Sequence, residues 1–175
     1  MVSAFGRKRG ETMLTELPFT FSGNIFCSAM PFGPFDRFHK LWPLYQEQDV
    51  DLIVVLTEPG EYLFYTGRDL ISFYKEQGMD VIHLPITDHG LPPDPAGFRK
   101  AVKNVENMGR EGRSVAVHCL AGIGRTGTFT ACLAREHFGF SGEESIQWVR
   151  KYIPGAMENE RQERFVLQYS CEVKR

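Results

Sequence analysis

The stretch His118-Cys119-Leu120-Ala121-Gly122-Ile123-Gly124-Arg125-Thr126-Gly127 constrains this chain most, because it joins a cysteine to an arginine through five residues without a long or charged side chain. It follows the run Ser114 to Val117, which reads as a buried strand, and leads into Thr128 to His137, which reads as a helix. At a helix N-terminus the first N–H groups lack internal partners and the peptide dipoles place partial positive charge, so the joint suits an oxyanion. Gly122 and Gly124 permit positive φ, which lets successive N–H groups face one centre. Arg125 adds a planar fork matched to two phosphate oxygens. Cys119 then lies on the floor of a positive bowl, where the nucleophilic thiolate is favoured over the thiol.

The same letters spell Gly122-x-Gly124-x-x-Gly127, a dinucleotide-binding pattern that requires a further strand ending in an acidic residue about 20 positions on. The acids near that distance, Glu143 and Glu144, stand in Ser141-Gly142-Glu143-Glu144, a capping-box start for a helix carrying Ile146, Val149 and Ile153 at helical spacing. The 48 residues after Gly127 show helical periods, which disfavours a cofactor cradle. A Walker loop also fails, since no Lys-Ser or Lys-Thr closes the glycine run.

Elsewhere, strands and helices alternate. Phe19 to Phe21 and Ile25 to Ala29 read as short strands broken by Ser22-Gly23-Asn24, and Pro34 to Gln48 as two short helices or one kinked at Pro43. Asp51 to Leu56 is a strand and Thr57 to Gly60 a loop. Leu70, Ile71 and Tyr74 mark a helix that Gly78 ends, and Val81 to Leu84 is the next strand. After the irregular stretch Pro85 to Pro93, Asp94-Pro95 opens a helix buried through Phe98, Val102, Val105 and Met108. Three C-terminal helices complete the chain. This order predicts a single α/β domain with a central, mostly parallel sheet flanked by helices on both faces. Both the cysteine loop and the 85–93 loop would then emerge at the carboxyl ends of strands, where they can meet.

At 175 residues the chain suits one domain, read as 17–175 behind a flexible segment 1–16 that carries Arg7-Lys8-Arg9. A net charge of −2 argues against a nucleic-acid-binding surface. The four cysteines, Cys27, Cys119, Cys132 and Cys171, lack paired metal-ligand spacing and fit a reducing compartment. With no apolar run of membrane-spanning length and no apolar stretch behind the basic cluster, the expected protein is cytoplasmic, with nuclear access if the source is eukaryotic.

His-Cys-x-x-Gly-x-x-Arg-Thr-Gly resembles the signature of cysteine-based protein tyrosine phosphatases, and Pro154-Gly155-Ala156-Met157-Glu158 with Gln162 is similar to the segment after it in small atypical dual-specificity phosphatases. The resemblance implies the protein tyrosine phosphatase-like fold and a two-step phosphoryl transfer through a cysteinyl-phosphate, with no metal and no cofactor. It implies that Cys119 attacks phosphorus, while Arg125 and the backbone of Leu120, Ala121, Gly122, Ile123, Gly124 and Arg125 hold the phosphoryl oxygens. Asp88, upstream in the 85–93 loop, takes the place of the family's general acid and base. Thr126 would give its hydroxyl to the departing sulfur, and Gln162 would position the hydrolytic water.

Each role has a plainer rival. Asp88 also fits a turn residue, Asp94 a helix cap, Glu58 a solvated loop glutamate, and Gln162 the end of an Asn159-x-x-Gln162 capping box. His118 tunes the loop or is a satisfied core histidine, without a proton-transfer role. Cys132 and Cys27 read as core residues. Because Leu120, Ala121 and Ile123 are apolar or small, polyanionic substrates are disfavoured, and a phosphorylated protein or peptide is the expected partner. A phosphatase for a phosphoinositide or an RNA 5′-phosphate, or a non-catalytic phosphate-binding module, stays open. Oligomeric state is not legible.

Overall fold

The computed structural model describes residues 13–171. Its five strands are β1 (Leu14–Leu17), β2 (Ile25–Ser28), β3 (Leu52–Val55), β4 (Asp80–His83) and β5 (Val115–His118). They form one sheet in the order β1-β2-β5-β3-β4, antiparallel at β1–β2 and parallel elsewhere. The seven α-helices are α1 (Leu41–Glu47), α2 (Pro59–Thr66), α3 (Leu70–Glu76), α4 (Pro95–Arg110), α5 (Gly124–Phe138), α6 (Gly142–Arg150) and α7 (Glu160–Gln168). The expected α/β architecture with a mostly parallel sheet is what the chain adopts.

Side chains alternate across a strand, so each buried strand feeds two cores. Ile25, Cys27, Leu52, Val54, Val115 and Val117 point to one face, where α4 to α7 supply Phe98, Val102, Phe129, Leu133, Val149 and Val166. Phe26, Ile53, Val55 and Ala116 point to the other, against Trp42 and Tyr45 of α1, Tyr62 of α2 and Tyr74 of α3. Burial on both faces explains why β3 and β5 read as continuous apolar runs. No helix among the described residues is long and apolar enough to cross a membrane.

Three local expectations are corrected, and another, the third below, is resolved in favour of two short helices. The first strand lies at Leu14–Leu17, overlapping the segment 1–16 read as a tail, while residues 1–12, including the basic cluster, lie outside the described residues. Pro18 ends that strand because it has no N–H to give to the ladder. Phe19 and Phe21 are not a strand: they stack on each other at 5.1 Å between ring centroids, and Phe19 also packs on Phe138 and Trp148. Second, Thr57 to Gly60 is not all loop, since α2 starts at Pro59 behind a capping box between Glu58 and Glu61. Third, the span 34–48 resolves into a 3-10 turn (Arg37–His39) and α1, with Pro43 in the first turn, where no intrahelical N–H is needed. Fourth, α5 begins at Gly124, four residues before the expected start, because the polar signature residues are themselves its buried first turn.

Candidate active site

Two loops and a helix converge at the carboxyl edge of the sheet. The loop after β5 carries Cys119, the loop after β4 carries Asp88, and α2, entered from β3, carries Glu61. Cys119 is buried, and its Sγ accepts a hydrogen bond from the Gly122 N–H at 3.3 Å. Gly122 has φ +77°, and a Cβ there would stand 2.4 Å from the Ser28 carbonyl oxygen, so only glycine fits. Gly124 is not in the positive-φ region expected for it; it opens α5 instead. Its lack of a side chain makes room for Glu158, whose Oε2 would lie 2.2 Å from a Cβ, and for Gln162 Oε1 at 3.1 Å. Because α5 starts at Gly124, the N–H groups of Gly124, Arg125 and Thr126 have no intrahelical acceptor and its dipole is aimed at the loop. Leu120, Ala121 and Ile123 are half-buried around it.

Arg125 is 2 % exposed and held on several sides. Nη1 donates to Glu61 Oε2 at 2.7 Å and to the Ile86 carbonyl at 2.8 Å, and Nη2 donates to Glu61 Oε1 at 2.9 Å and to Asp88 Oδ1 at 3.0 Å. Burial opposes the charge, but the Glu61 bonds, with Cys119 and Asp88 nearby, outweigh it and hold the guanidinium above its ordinary value. Glu61 thus fixes the plane of the fork. Sequence reasoning missed it, having weighed Glu58; the available signal was Glu58-Pro59-x-Glu61, a helix start immediately after a buried strand.

Asp88 is exposed and reaches over Arg125 from the loop after β4, also accepting from the His89 N–H at 3.0 Å. That loop is tied to the start of α7: Asn159 Nδ2 donates to the His89 carbonyl at 3.0 Å, and Gln162 Nε2 to the Gly90 carbonyl at 3.4 Å. Gln162 is fully buried and its Oε1 accepts from the Glu158 N–H at 2.8 Å, so its amide bridges two loops. Asn159 caps α7 by accepting from the Gln162 N–H, and Asp94 caps α4 by accepting from the Gly97 N–H. Thr126 Oγ1 is buried and has no hydrogen-bond partner among the described residues, so the expected bond to the Cys119 sulfur is not formed here. Glu58 accepts from Thr87 Oγ1 at 3.3 Å and serves the α2 cap.

His118 is a satisfied core residue that also touches the loop. Its Nδ1–H donates to the Cys119 carbonyl at 3.2 Å, which leaves Nε2 to accept from Tyr74 OH at 3.1 Å. Burial, assisted by the nearby charges of Arg125 and His83 and opposed by the bond to Cys119, lowers its pKa from 6.5 to about 4. The unfolded chain therefore takes up this proton first as pH falls, and the stability contributed by the neutral ring is full above 6.5 and lost on descending towards 4. Denaturant titrations of the wild type and His118→Gln should diverge across that window, with the wild type losing about 3 kcal/mol more; parallel curves would contradict this. Burial and the charge of Cys119 push Cys27 up to about 12, so the Cys27 thiol stays protonated and unreactive.

A family model described as "Polymorphic toxin system, DSP-PTPase phosphatase" matches residues 37–137, which contain Glu61, Asp88, Cys119 and Arg125. The mouse (Mus musculus) dual specificity protein phosphatase CDC14A is 36% identical over 116 residues, 66% of this chain and 17% of that protein. The Arabidopsis thaliana phosphatidylglycerophosphate phosphatase PTPMT1 is 28% identical over 145 residues, 83% of this chain and 40% of that protein. The chain spans about a fifth of the length of the first curated relatives it matches. Among solved structures, Tk-PTP in its active form superposes with a TM-score of 0.67 at 30% identity, covering 86% of this chain and 93% of that one. Kinase associated phosphatase gives a TM-score of 0.78 at 22% identity over 91% and 94%, a likeness of fold.

Proposed function

The chain belongs to the DSP-PTPase phosphatase family of polymorphic toxin systems, and from that membership we propose that it hydrolyses phosphotyrosine, and phosphoserine or phosphothreonine, in proteins through a cysteinyl-phosphate. The observation that carries this reading is the meeting of three groups from two loops far apart in the chain. Cys119 Sγ lies in the anion loop, Arg125 stands in the same loop, and Asp88 Oδ1 is 3.0 Å from Arg125 Nη2.

In the first step the Cys119 thiolate attacks phosphorus in line, an S–P bond forms, and the ester P–O bond breaks. Asp88 protonates the leaving oxygen, while Arg125 and the loop N–H groups hold the equatorial oxygens. A phosphoryl dianion competes with Asp88 for Arg125 Nη2, so substrate entry frees the carboxyl to turn towards the leaving group. In the second step water attacks phosphorus, Asp88 takes its proton, the S–P bond breaks, and phosphate leaves with the thiolate restored. Gln162 positions that water from its bridge between the Asp88 loop and residue 158, and Thr126 offers its unbonded hydroxyl to the expelled sulfur. The chemistry needs no metal or cofactor.

A second reading, a phosphatase for a non-protein phosphomonoester, is favoured by the similarity to the phosphatidylglycerophosphate phosphatase named above. The half-exposed Leu120, Ala121 and Ile123 offer no cation to a polyanionic headgroup and favour the protein substrate. A panel at equal concentration, containing phosphotyrosyl, phosphoseryl and phosphothreonyl peptides, phosphatidylglycerophosphate, a phosphoinositide and an RNA 5′-phosphate, separates them. Peptides should exceed every non-protein substrate in kcat/KM, and the reverse order would replace the first reading by the second.

A further inference from the structure

Among the described residues six large apolar side chains are exposed: Phe35, Phe38, Leu63, Phe64, Tyr65 and Leu167. Five of the six lie on just two segments, the connection from β2 to α1 and helix α2. These leave the carboxyl ends of β2 and β3, the two strands that flank β5 and its cysteine loop. The segments meet where the Arg68 guanidinium lies 4.4 Å over the Phe32 ring, just beyond α2. The result is an apolar rim beside the catalytic loop, and clustering of this kind marks a recognition surface.

The rim is built in advance. Buried Asp36 accepts from the Phe32 N–H at 2.7 Å and from the Leu41 N–H at 3.1 Å, which staples the β2–α1 connection. Phe38 and His39 are held at φ +62° and +53°, left-handed conformations that non-glycine residues rarely adopt. The Phe38 ring is 84% exposed and Phe64 is 80% exposed. Neither ring belongs to the buried core; Phe38 lies under Lys40 Nζ at 5.7 Å and Phe64 meets the Tyr65 ring at 5.0 Å.

Two grooves cut into the rim, and their charges differ. One, of about 530 Å³, is lined by Leu14, Phe35, Phe38, Leu44 and the cations Arg37 and Lys40. The other, an open hollow of about 520 Å³, is lined by Pro59, Phe64, Tyr65 and Glu58, with Glu61 beside them already paired to Arg125. A surface hollow accepts a side chain, and the opposite charges of Lys40 and Glu58 at the two ends favour opposite charges on the occupant. A uniformly anionic bilayer would be repelled at the Glu58 end.

We propose that this rim docks the polypeptide flanking the phosphoresidue, selecting a segment with apolar side chains on both sides, an acidic residue towards Lys40 and a basic residue towards Glu58. This rests on the protein-phosphatase reading and narrows its substrate class. Only a bipolar segment satisfies both grooves, and the order along the peptide fixes which terminus lies over Lys40.

The test reads binding, so that it does not depend on turnover. Fluorescein-labelled phosphotyrosyl peptides with apolar flanks are titrated into the Cys119→Ser chain by fluorescence polarisation. The charged residues are arranged acid-then-base, base-then-acid, all acidic or all basic, and phosphatidylcholine vesicles carrying phosphatidic acid serve as the lipid probe. One bipolar order should bind about tenfold tighter than either single-sign peptide, and Phe38→Ala and Phe64→Ala should each weaken it about tenfold. Lys40→Glu should move the preference to the all-basic peptide. Equal affinity across charge patterns, unchanged binding in both phenylalanine variants, or stronger binding to the vesicles would overturn the proposal. The parent reading fails on a different measurement, absence of aryl phosphate hydrolysis by the wild-type chain.

Discussion

Cys119→Ser lowers aryl phosphate turnover by a factor on the order of 10⁴ or more, while the chain folds and still binds phosphopeptide. A serine hydroxyl at this position has no base to ionise it. The nearest imidazole, His118, has Nδ1 engaged with the residue 119 carbonyl and Nε2 with Tyr74 OH, and it is lowered towards the neutral form without facing the nucleophile. Serine nucleophiles depend on such a base, whereas a thiolate in an anion-stabilising loop does not. The anion site itself is untouched, because Arg125 takes its position from Glu61 and the Ile86 carbonyl. Binding and chemistry therefore separate in this one variant. Steady-state assay with a phenyl phosphate ester, paired with peptide titration, reads both. Retained hydrolysis would remove Cys119 from the reaction.

Asp88→Asn has the next largest effect, a loss of roughly 10² to 10⁴ in kcat on phosphotyrosyl peptide. Asparagine keeps an oxygen to accept from Arg125 Nη2 and from the His89 N–H, as Oδ1 does now, so the loop keeps its place. What disappears is the proton for the leaving oxygen. The loss should shrink with esters of strongly acidic phenols, whose oxygens depart without protonation, and grow with alkyl esters such as phosphoserine. The limb of the pH–rate profile on which activity falls as pH rises should vanish, because a general acid must be protonated to act. An equal loss on every leaving group would assign Asp88 to positioning, and an unchanged profile would move the acid elsewhere.

The sequence was most legible where local chemistry and tertiary role coincide. Cys119 to Arg125 are adjacent in the chain, so one loop announces its own geometry. Asp94 and Ser141 read as caps because the backbone N–H groups they accept from are three residues away. Asp88 was placed through resemblance, and its contact with Arg125 spans 37 positions. Glu61 is 64 positions from Arg125, and its local pattern marks a helix start without marking an arginine anchor. Helix α2 escaped notice for a related reason. Leu63, Phe64 and Tyr65 face outwards, which erases the apolar stripe that normally identifies a helix, and the same outward aromatics form the rim. The first strand was misplaced because Phe19 and Phe21 carry more strand-like character than Leu14 to Leu17, yet their rings are used in a stack against α5 and α6.

The central claim, that phosphate passes through a covalent bond to one sulfur, is tested by acid quench of the wild-type chain during aryl phosphate turnover, followed by peptide mass mapping. The account predicts one added phosphoryl group on the peptide carrying Cys119, absent from Cys119→Ser and lost again as substrate is exhausted. Turnover at full rate with no such adduct, or an adduct on any other residue, would contradict it.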